Sequence, residues 1–232
     1  MNFGEIEIKV PFDTPVRMPN GLQWYGGELF VMDQLTDDVF VLDEYGSVLR
    51  VLTTETENGS GISVGGGFIW TASNGSAVAR PFRESDDHRS KILKIDLKTG
   101  RTLDYFLTPD GGGVHGLAWE DGRIWITAFN PKAIHLIDCE NYEIVKSFFL
   151  ELDVLHGLAL EGDGIWCSDR AQKVIVRIDK ENGNITDEIK MPINSGDPHG
   201  LTIRANELWY SDANFPFVEG MRGYPEIGVI VR

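Results

Sequence analysis

The sequence predicts an all-β fold, a five-bladed β-propeller in which an N-terminal strand completes the last blade. The first observation is a repeat of five thirteen-residue segments that align without gaps: GLQWYGGELFVMD from Gly21, GISVGGGFIWTAS from Gly61, GLAWEDGRIWITA from Gly116, GLALEGDGIWCSD from Gly157 and GLTIRANELWYSD from Gly200. The second is their spacing of roughly 40 to 55 residues, which is typical of four-stranded propeller blades. The third is a last unit that is one strand short.

Each unit supplies its strands in the same order. The thirteen-residue segment has two apolar runs separated by Gly, Asp or Asn, which indicates a β-hairpin. A third strand follows as VFVLD, KILKID, AIHLID, VIVRID or IGVIV. Turn-forming DEYG, DLKTG and DKENG then lead into a fourth strand such as SVLRVLT, RTLDYFLT or NITDEIKM.

The two ends of the chain are predicted to share one blade. The last unit reaches Arg232 after three strands, and the N-terminal run GEIEIKVPF, within residues 3–12, offers the fourth. Such a pairing closes the ring and removes two sheet edges that would promote aggregation. We therefore expect one domain over residues 1–232, with blades starting near residues 20, 60, 115, 156 and 199.

The composition limits the partners open to this chain. Its 232 residues carry a net charge of −15, and phosphate binding needs clustered cations, so we expect neither a nucleic-acid nor a membrane partner. The N-terminus has no basic region followed by an apolar run, and the two cysteines, Cys139 and Cys167, lack metal or redox spacing. We expect a cytoplasmic protein, and the oligomeric state stays open.

The repeated tryptophans have two readings, an aromatic ligand cage or packing between blades. Trp70, Trp125, Trp166 and Trp209 occupy the same position of the second strand in their units. Because the position is repeated around the ring, the pattern favours packing between adjacent blades.

A ring of polar residues is predicted at the top of the axial channel. In a propeller the first strand of each blade lines the axis, so the residue before each leading glycine lies at one end of the channel. These residues are Asn20, Ser60, His115, His156 and His199. The glycines that follow allow the five innermost strands to approach closely.

The repeat resembles the SMP-30/gluconolactonase group and the related NHL, YVTN and virginiamycin B lyase-like propellers, over essentially the whole chain. In the SMP-30 group the residue before the leading glycine of several blades binds a divalent metal, usually as Glu-Gly, Asn-Gly or Asp-Gly. PNG at 19–21 matches this usage, so the resemblance implies that Asn20 is a metal ligand. This chain departs from that group in having five units rather than about six blades, with histidine at three of the slots.

Three imidazoles converging on one point favour a transition metal, because calcium and magnesium prefer oxygen ligands. We therefore expect a divalent Zn, Mn, Fe, Co or Ni ion held by His115, His156 and His199, with Asn20 as a further ligand. The alternative is that duplicated blades inherited the same residue. In that case a histidine caps the channel by bonding to a neighbouring backbone carbonyl.

The loops after the second strands complete the same face of the molecule. Asp33, Asp169 and Asp212 are candidate catalytic residues, either orienting a histidine or acting as a general base. Each one alternatively bonds the backbone of its own turn.

Two of these loops are long, and long loops in compact repeats are usually functional. They carry arginines and aromatic residues, among them Phe217, and indicate a pocket wall for a ligand with an anionic group such as a carboxylate. The candidate substrate-binding residues on this face are Asn74, Arg80, Arg83, Asn130, Arg170, Phe215 and Arg222.

The sequence leaves two functions open. The first is a metal-dependent enzyme acting on a small anionic metabolite at the axial site, as a lactonase-like hydrolase or a lyase. The second is a non-catalytic binding or interaction scaffold of the NHL or YVTN type. A redox or oxygenase site, as in a carotenoid-cleaving propeller family with a histidine iron centre, ranks below both.

Overall fold

The structure, a computed structural model, describes residues 6–77, 79–109, 113–215 and 222–232. These residues form five four-stranded antiparallel sheets, each one a blade of a β-propeller, which confirms the predicted fold class. No helix long and apolar enough to cross a membrane occurs within these ranges.

Four blades follow the chain in order. Blade 1 contains β2 to β5: Pro19–Tyr25, Glu28–Asp33, Asp38–Leu42 and Val48–Thr53. Blade 2 contains β6 to β9: Gly59–Gly65, Phe68–Ser73, Lys91–Asp96 and Thr102–Leu107. Blade 3 contains β10 to β13: Leu117–Glu120, Arg123–Phe129, Lys132–Asp138 and Ile144–Phe149. Blade 4 contains β14 to β17: Leu155–Glu161, Gly164–Asp169, Val174–Asp179 and Ile185–Lys190.

Blade 5 is built from both ends of the chain. It contains β18 to β20 and β1: Leu201–Arg204, Glu207–Asp212, Glu226–Val231 and Glu7–Lys9. Strand β1 pairs antiparallel with β20, with Glu7 opposite Val231 and Lys9 opposite Val229. The predicted closure of the ring by an N-terminal strand is therefore confirmed.

The leading glycines mark the contacts between innermost strands. In every blade, a Cβ added to this glycine would come closer than 3.0 Å to the carbonyl oxygen of the polar ring residue of the next blade. At Gly116 the obstructing atom is the carbonyl oxygen of His156, and at Gly200 it is that of Asn20. Backbone cannot move aside as a flexible side chain can, so the inner ring requires glycine at this position.

Buried hydroxyl groups reinforce the same contacts. Ser211 Oγ accepts a hydrogen bond from Gly200 N at 3.0 Å and donates one to the Asn20 carbonyl at 2.9 Å. Ser168 makes the corresponding bonds between blades 4 and 5. Each hydroxyl therefore fixes the backbone that presents a polar ring residue to the axis.

The apolar core lies between the blades rather than on the axis. Trp70 packs in one cluster with Leu117 and Ile124 of blade 3, and Trp209 packs with Leu22 of blade 1. The four repeated tryptophans are at most 4% exposed: Trp70, Trp125, Trp166 and Trp209. Packing between blades, rather than a ligand cage, is what the structure shows for them.

Candidate functional site at the top of the axial channel

The three histidines lie side by side in the ring of polar residues. The ring centroids of His115 and His156 are 4.4 Å apart, and those of His156 and His199 are 4.8 Å apart. His156 and His199 are almost fully buried, whereas His115 is half-buried. Three adjacent blades thus place three imidazoles at one end of the channel.

Burial lowers the pKa of each imidazole, because the charged form loses its hydration. The pKa of His115 falls to about 3, with His199 and Arg170 contributing in the same direction. The pKa of His156 also lies well below its usual value, mainly through burial. Burial lowers the pKa of His199 too, against the opposing effect of the Asp212 carboxylate. At neutral pH all three rings are therefore uncharged.

His199 is bonded to backbone through both ring nitrogens. Its Nε2 lies 2.9 Å from the Phe215 carbonyl oxygen, and its Nδ1 lies 3.0 Å from that of Asp197. The Ala213 amide also points at Nδ1, at 3.3 Å. A neutral ring has one N–H, so when Nδ1 accepts the Ala213 amide, Nε2 donates to the Phe215 carbonyl and His199 caps the channel there, the structural alternative that the sequence left open.

This arrangement does not fit a metal held by three histidines. A histidine ligand must present a nitrogen lone pair to the ion, and both nitrogens of His199 face backbone instead. Across the described ranges, no group of three or more His, Cys, Asp or Glu side chains is arranged to hold a metal ion. The transition-metal ion stays a prediction.

Four buried atoms around the ring have no hydrogen-bond partner in the described part of the chain. They are Nδ1 of His115 and of His156, and Oδ1 of Asn20 and of Asn74. Buried polar atoms are normally bonded, so these four atoms are available as contacts for a polar ligand.

Neighbouring side chains fix the two amide oxygens in their orientations. Asn20 Nδ2 donates to Gln34 Oε1 at 2.7 Å, and Gln34 Nε2 donates in turn to Asn58. Asn74 Nδ2 donates to Ser60 Oγ at 2.9 Å. With both amide nitrogens engaged, the amide oxygens remain as acceptors for an N–H or O–H group of a ligand.

Arg170 brings a positive charge to this neighbourhood. It follows Asp169 at the end of β15 and is half-buried, and its charge lowers the pKa of all three imidazoles. The Arg170 backbone amide donates to the Val154 carbonyl. Its guanidinium forms no ion pair or hydrogen bond with a residue that the structure describes, and this leaves a planar donor for an anion.

Two of the three candidate catalytic aspartates hold turns. Asp169 accepts bonds from the backbone amides of residues 153, 154, 171 and 172. Asp33 accepts from the amides of Met18 and Leu35 and from the Thr36 hydroxyl. Both carboxylates are fully buried. The turn-bonding alternative therefore describes them, and a catalytic role for either stays a prediction.

Asp212 differs, because it lies beside an imidazole. Its Oδ1 is 3.7 Å from His199 Nδ1 and accepts the Asn214 amide at 2.7 Å. Its Oδ2 pairs with Arg222 at 2.8 Å, and Arg222 also pairs with Glu226 at 2.6 Å. Asp212 therefore helps to position His199, and the donors of Arg222 are used within the protein.

The arginines of the blade 2 loop are likewise engaged. Arg80 pairs with Asp37 at 2.6 Å and with Asp86 at 2.7 Å, and its side chain is only 6% exposed. Arg83 donates to the carbonyls of Thr36 and Thr54. Both fasten the loop to blade 1, so the prediction that Arg80, Arg83 and Arg222 bind substrate is not carried forward.

The remaining candidates are divided. Asn74 lies at the site through its contact with Ser60, and Phe215 contributes its carbonyl to His199. Asn130 is exposed between β11 and β12. Phe217 lies outside the described residues.

Two residues of the site were missed from the sequence. The Phe129 ring lies 5.0 Å from that of His115, and Gln34 holds the Asn20 amide. Both lie where a second strand ends, on the loops that the repeat places on the top face. That position was the available signal, since neither residue type indicates a ligand by itself.

Comparison with known proteins agrees on the fold. No protein-family model matches the sequence, and no curated protein matches it. A glutaminyl cyclase from Myxococcus xanthus superposes with a TM-score of 0.70 at 9% identity, over 97% of this chain and 94% of that one. A streptogramin B lyase superposes with a TM-score of 0.55 at 14% identity, over 97% of both chains. The WD40 β-propeller domain of Doa1 gives 0.53 at 14% identity, over 91% of this chain and 62% of that one.

These similarities show the fold, a β-propeller, whose axial channel carries the ring of polar residues at one end. Membership of the SMP-30 group, or of any other propeller family, is not shown. The structural neighbours include a glutaminyl cyclase, a streptogramin B lyase and a WD40 domain, so the fold alone does not choose between catalysis and binding.

Proposed function

We propose that the protein is an enzyme acting on a small molecule that carries an anionic group, as a hydrolase or a lyase at the top of the axial channel. One observation carries the proposal: among the described residues, buried atoms of His115, His156, Asn20 and Asn74 have no hydrogen-bond partner, and the guanidinium of Arg170, which has no ion pair there, acts on both imidazoles. Polar groups held ready in a buried site are typical of ligand recognition.

Each group has a distinct role in this proposal. Arg170 pairs with the anionic group of the substrate, and the oxygens of Asn20 and Asn74 accept hydrogen bonds from its N–H or O–H groups. These contacts orient the substrate against the two imidazoles of His115 and His156. The substrate class is therefore a small acid that also bears a hydrogen-bond donor.

The paired imidazoles supply acid–base chemistry. Burial keeps His115 and His156 neutral, so each has one nitrogen that can accept a proton from a substrate C–H or from water. A bound anion raises the pKa of an adjacent imidazole, because it favours the charged form. Substrate binding thus offsets the effect of Arg170 on His115 and His156 and makes proton uptake by these imidazoles easier.

Two propeller neighbours, named glutaminyl cyclase and streptogramin B lyase, support the enzyme reading. The WD40 neighbour favours the second candidate, a binding scaffold that uses the same face. The two candidates differ in whether His115 and His156 are needed beyond binding.

The test combines ligand binding with turnover. Small hydroxy and amino acids, their lactones, esters and amides are screened by thermal shift against uncharged amide analogues, and binders are assayed for conversion by mass spectrometry. We expect Arg170→Gln to weaken binding of acids by about tenfold or more, and His156→Asn to abolish conversion while binding persists. The matched control is Arg101→Gln, an exposed arginine on the turn after β8.

Three outcomes decide between the alternatives. Conversion that survives both Arg170→Gln and His156→Asn refutes the proposed site. Binding without conversion, unaffected by His156→Asn, favours the scaffold. Metal analysis of the same preparations tests the predicted transition metal. A stoichiometric ion in the wild-type protein that is lost in His115→Asn would support that prediction.

A further inference from the structure

Neighbouring blades meet at one recurring pair of positions at the hairpin end of the propeller, opposite the axial site. The first position is four residues after the leading glycine. The second follows Asp43, Asp96, Asp138, Asp179 or Val231. Three junctions carry an ion pair there: Glu120 with Lys180, Glu161 with Arg232 at 2.6 Å, and Arg204 with Glu44 at 3.2 Å.

The junction between blades 2 and 3 lacks this ion pair. Its two positions hold Gly65 and Cys139, the smallest combination around the ring, whereas the junction between blades 1 and 2 holds Tyr25 and Leu97. A cleft of about 490 Å³ opens at the junction of blades 2 and 3. Its volume lies within the range of small-molecule sites, and the loss of the two long side chains accounts for its position.

Aromatic rings form the walls of the cleft. Phe68 and Trp70 line one side, and Trp119 lines the other. Trp119 lies directly over Gly65, where any Cβ would collide with its indole ring. Glycine is therefore what allows the indole to form this wall.

Two cations line the cleft, and each acts at longer range on a neighbouring carboxylate, Lys94 on Asp104 and Arg123 on Glu120. Lys94 Nζ lies 4.2 Å from the centroid of the Phe68 ring, and Arg123 is exposed at the mouth. Neither forms an ion pair with a residue in the described ranges. Acids also line the cleft: the Asp138 carboxylate is engaged by the backbone amide of Glu140 in its turn, and the side chains of Asp121 and Glu140 are exposed.

Cys139 contributes an inert wall. Burial and the adjacent Asp138 carboxylate raise the pKa of its thiol to about 12. It remains a protonated, weakly polar group at neutral pH and is not a nucleophile.

We propose that this cleft is a second binding site, which takes a small flat aromatic molecule with one acidic substituent. The aromatic part stacks on Trp119, and the acidic group pairs with Lys94 and Arg123. The site is separate from the axial one and does not depend on the function proposed for it.

The experiment is calorimetric titration with 2-naphthoate, with the uncharged alcohol 2-naphthalenemethanol as the matched ligand. We expect wild-type protein to bind the acid about tenfold or more tightly than the alcohol. Trp119→Leu keeps apolar bulk but removes stacking, and is expected to weaken binding about tenfold. Lys94→Gln is expected to weaken binding of the acid about fivefold and leave that of the alcohol unchanged.

Variants that fill the cleft make the test specific to this place. Cys139→Lys introduces one of the two residues found at the junction of blades 3 and 4, and Cys139→Lys with Gly65→Glu introduces both. Each variant is expected to abolish binding. His156→Asn, at the axial site, is expected to leave it unchanged. Melting curves identify any variant that fails to fold, and Cys139→Lys avoids the collision at Gly65.

Two results would overturn the proposal: no binding of 2-naphthoate by wild-type protein at millimolar concentration, or binding unaffected by folded Trp119→Leu and Cys139→Lys variants. Equal affinity for the acid and the alcohol would overturn the role of the two cations.

Discussion

Replacing Ser211 by alanine tests whether hydroxyl groups hold the inner ring together. Ser211 is fully buried, and its Oγ is the hydrogen-bond partner of the Gly200 amide and also donates to the Asn20 carbonyl. Ser211→Ala removes both bonds and leaves a buried donor unsatisfied. A lost bond costs about 1 kcal/mol, and an orphaned buried group about 1–3 kcal/mol, so we expect a loss of about 2–4 kcal/mol.

Ser168 provides an internal comparison, because its loss is partly compensated. Ser168 Oγ accepts from Gly157 N at 2.8 Å, but that amide also lies 2.6 Å from the His199 carbonyl. The Gly157 amide therefore keeps a partner in Ser168→Ala. We expect this variant to lose about 1 kcal/mol, clearly less than Ser211→Ala.

Urea unfolding followed by tryptophan fluorescence measures both free energies, and a melting curve gives an independent value. For a chain of this length, 2–4 kcal/mol corresponds to a fall in Tm of about 4–16 °C. The control is Ser85→Ala, an exposed serine of the blade 2 loop, with an expected change below about 0.5 kcal/mol. Equal losses at Ser211 and Ser168, or a loss at Ser211 no larger than that at Ser85, would refute the reasoning.

Three further predictions follow from buried groups. Gly116→Ala places a Cβ against the His156 carbonyl and is expected to cost about 1–3 kcal/mol in the same urea assay; an unchanged midpoint contradicts the close approach. Arg80→Gln leaves Asp37 and Asp86 buried without their cation and is expected to cost about 3–5 kcal/mol without changing ligand affinity at the axial site, as calorimetry would show. The folded-state pKa of His115 is low, about 3, so below about pH 6.5 the unfolded chain binds more protons than the folded protein. The free energy of unfolding therefore falls as the pH drops from about 6.5 towards 3, by up to about 1.4 kcal/mol per pH unit. The same slope in His115→Asn and wild type, measured by urea unfolding from about pH 7.5 to 5, would exclude His115 as its source.

Most of the fold was predictable because the same blade pattern occurs five times in the sequence. A glycine that must touch the next strand recurs in all five units. A large aromatic residue that fills the space between blades recurs in register as well, as tryptophan in four units and as Phe30 in blade 1. The missing fourth strand of blade 5 was predictable for the same reason, since a gap in a repeat is visible against its other copies. The pairing of β1 with β20 followed from that gap, whereas its register, with Glu7 opposite Val231, came from the structure.

The site was less predictable, because its chemistry depends on the hydrogen-bond and ion-pair partners of each side chain. The ring position of His199 follows from the repeat, but its bonds to the Phe215 and Asp197 carbonyls depend on irregular loops. The same holds for Arg80 and Arg170. Both are arginines on top-face loops, yet Arg80 is enclosed by two carboxylates and Arg170 has no ion pair with a residue that the structure describes. Residue type and position do not distinguish them, whereas neighbours from other blades do.

The closure of blade 5 has a consequence for how the chain reaches its native state. Strand β20 finds its outer neighbour only in residues 7–9, at the far end of the sequence. Contacts between residues so distant along the chain form slowly, because the entropy of closing a long loop is lost before the contacts stabilise the chain. Blades 1 to 4 are each continuous in sequence and can assemble as they leave the ribosome. The ring itself waits for the last strand, so a folding intermediate with four ordered blades and protection from hydrogen exchange missing only in β1, β18, β19 and β20 is the expected species.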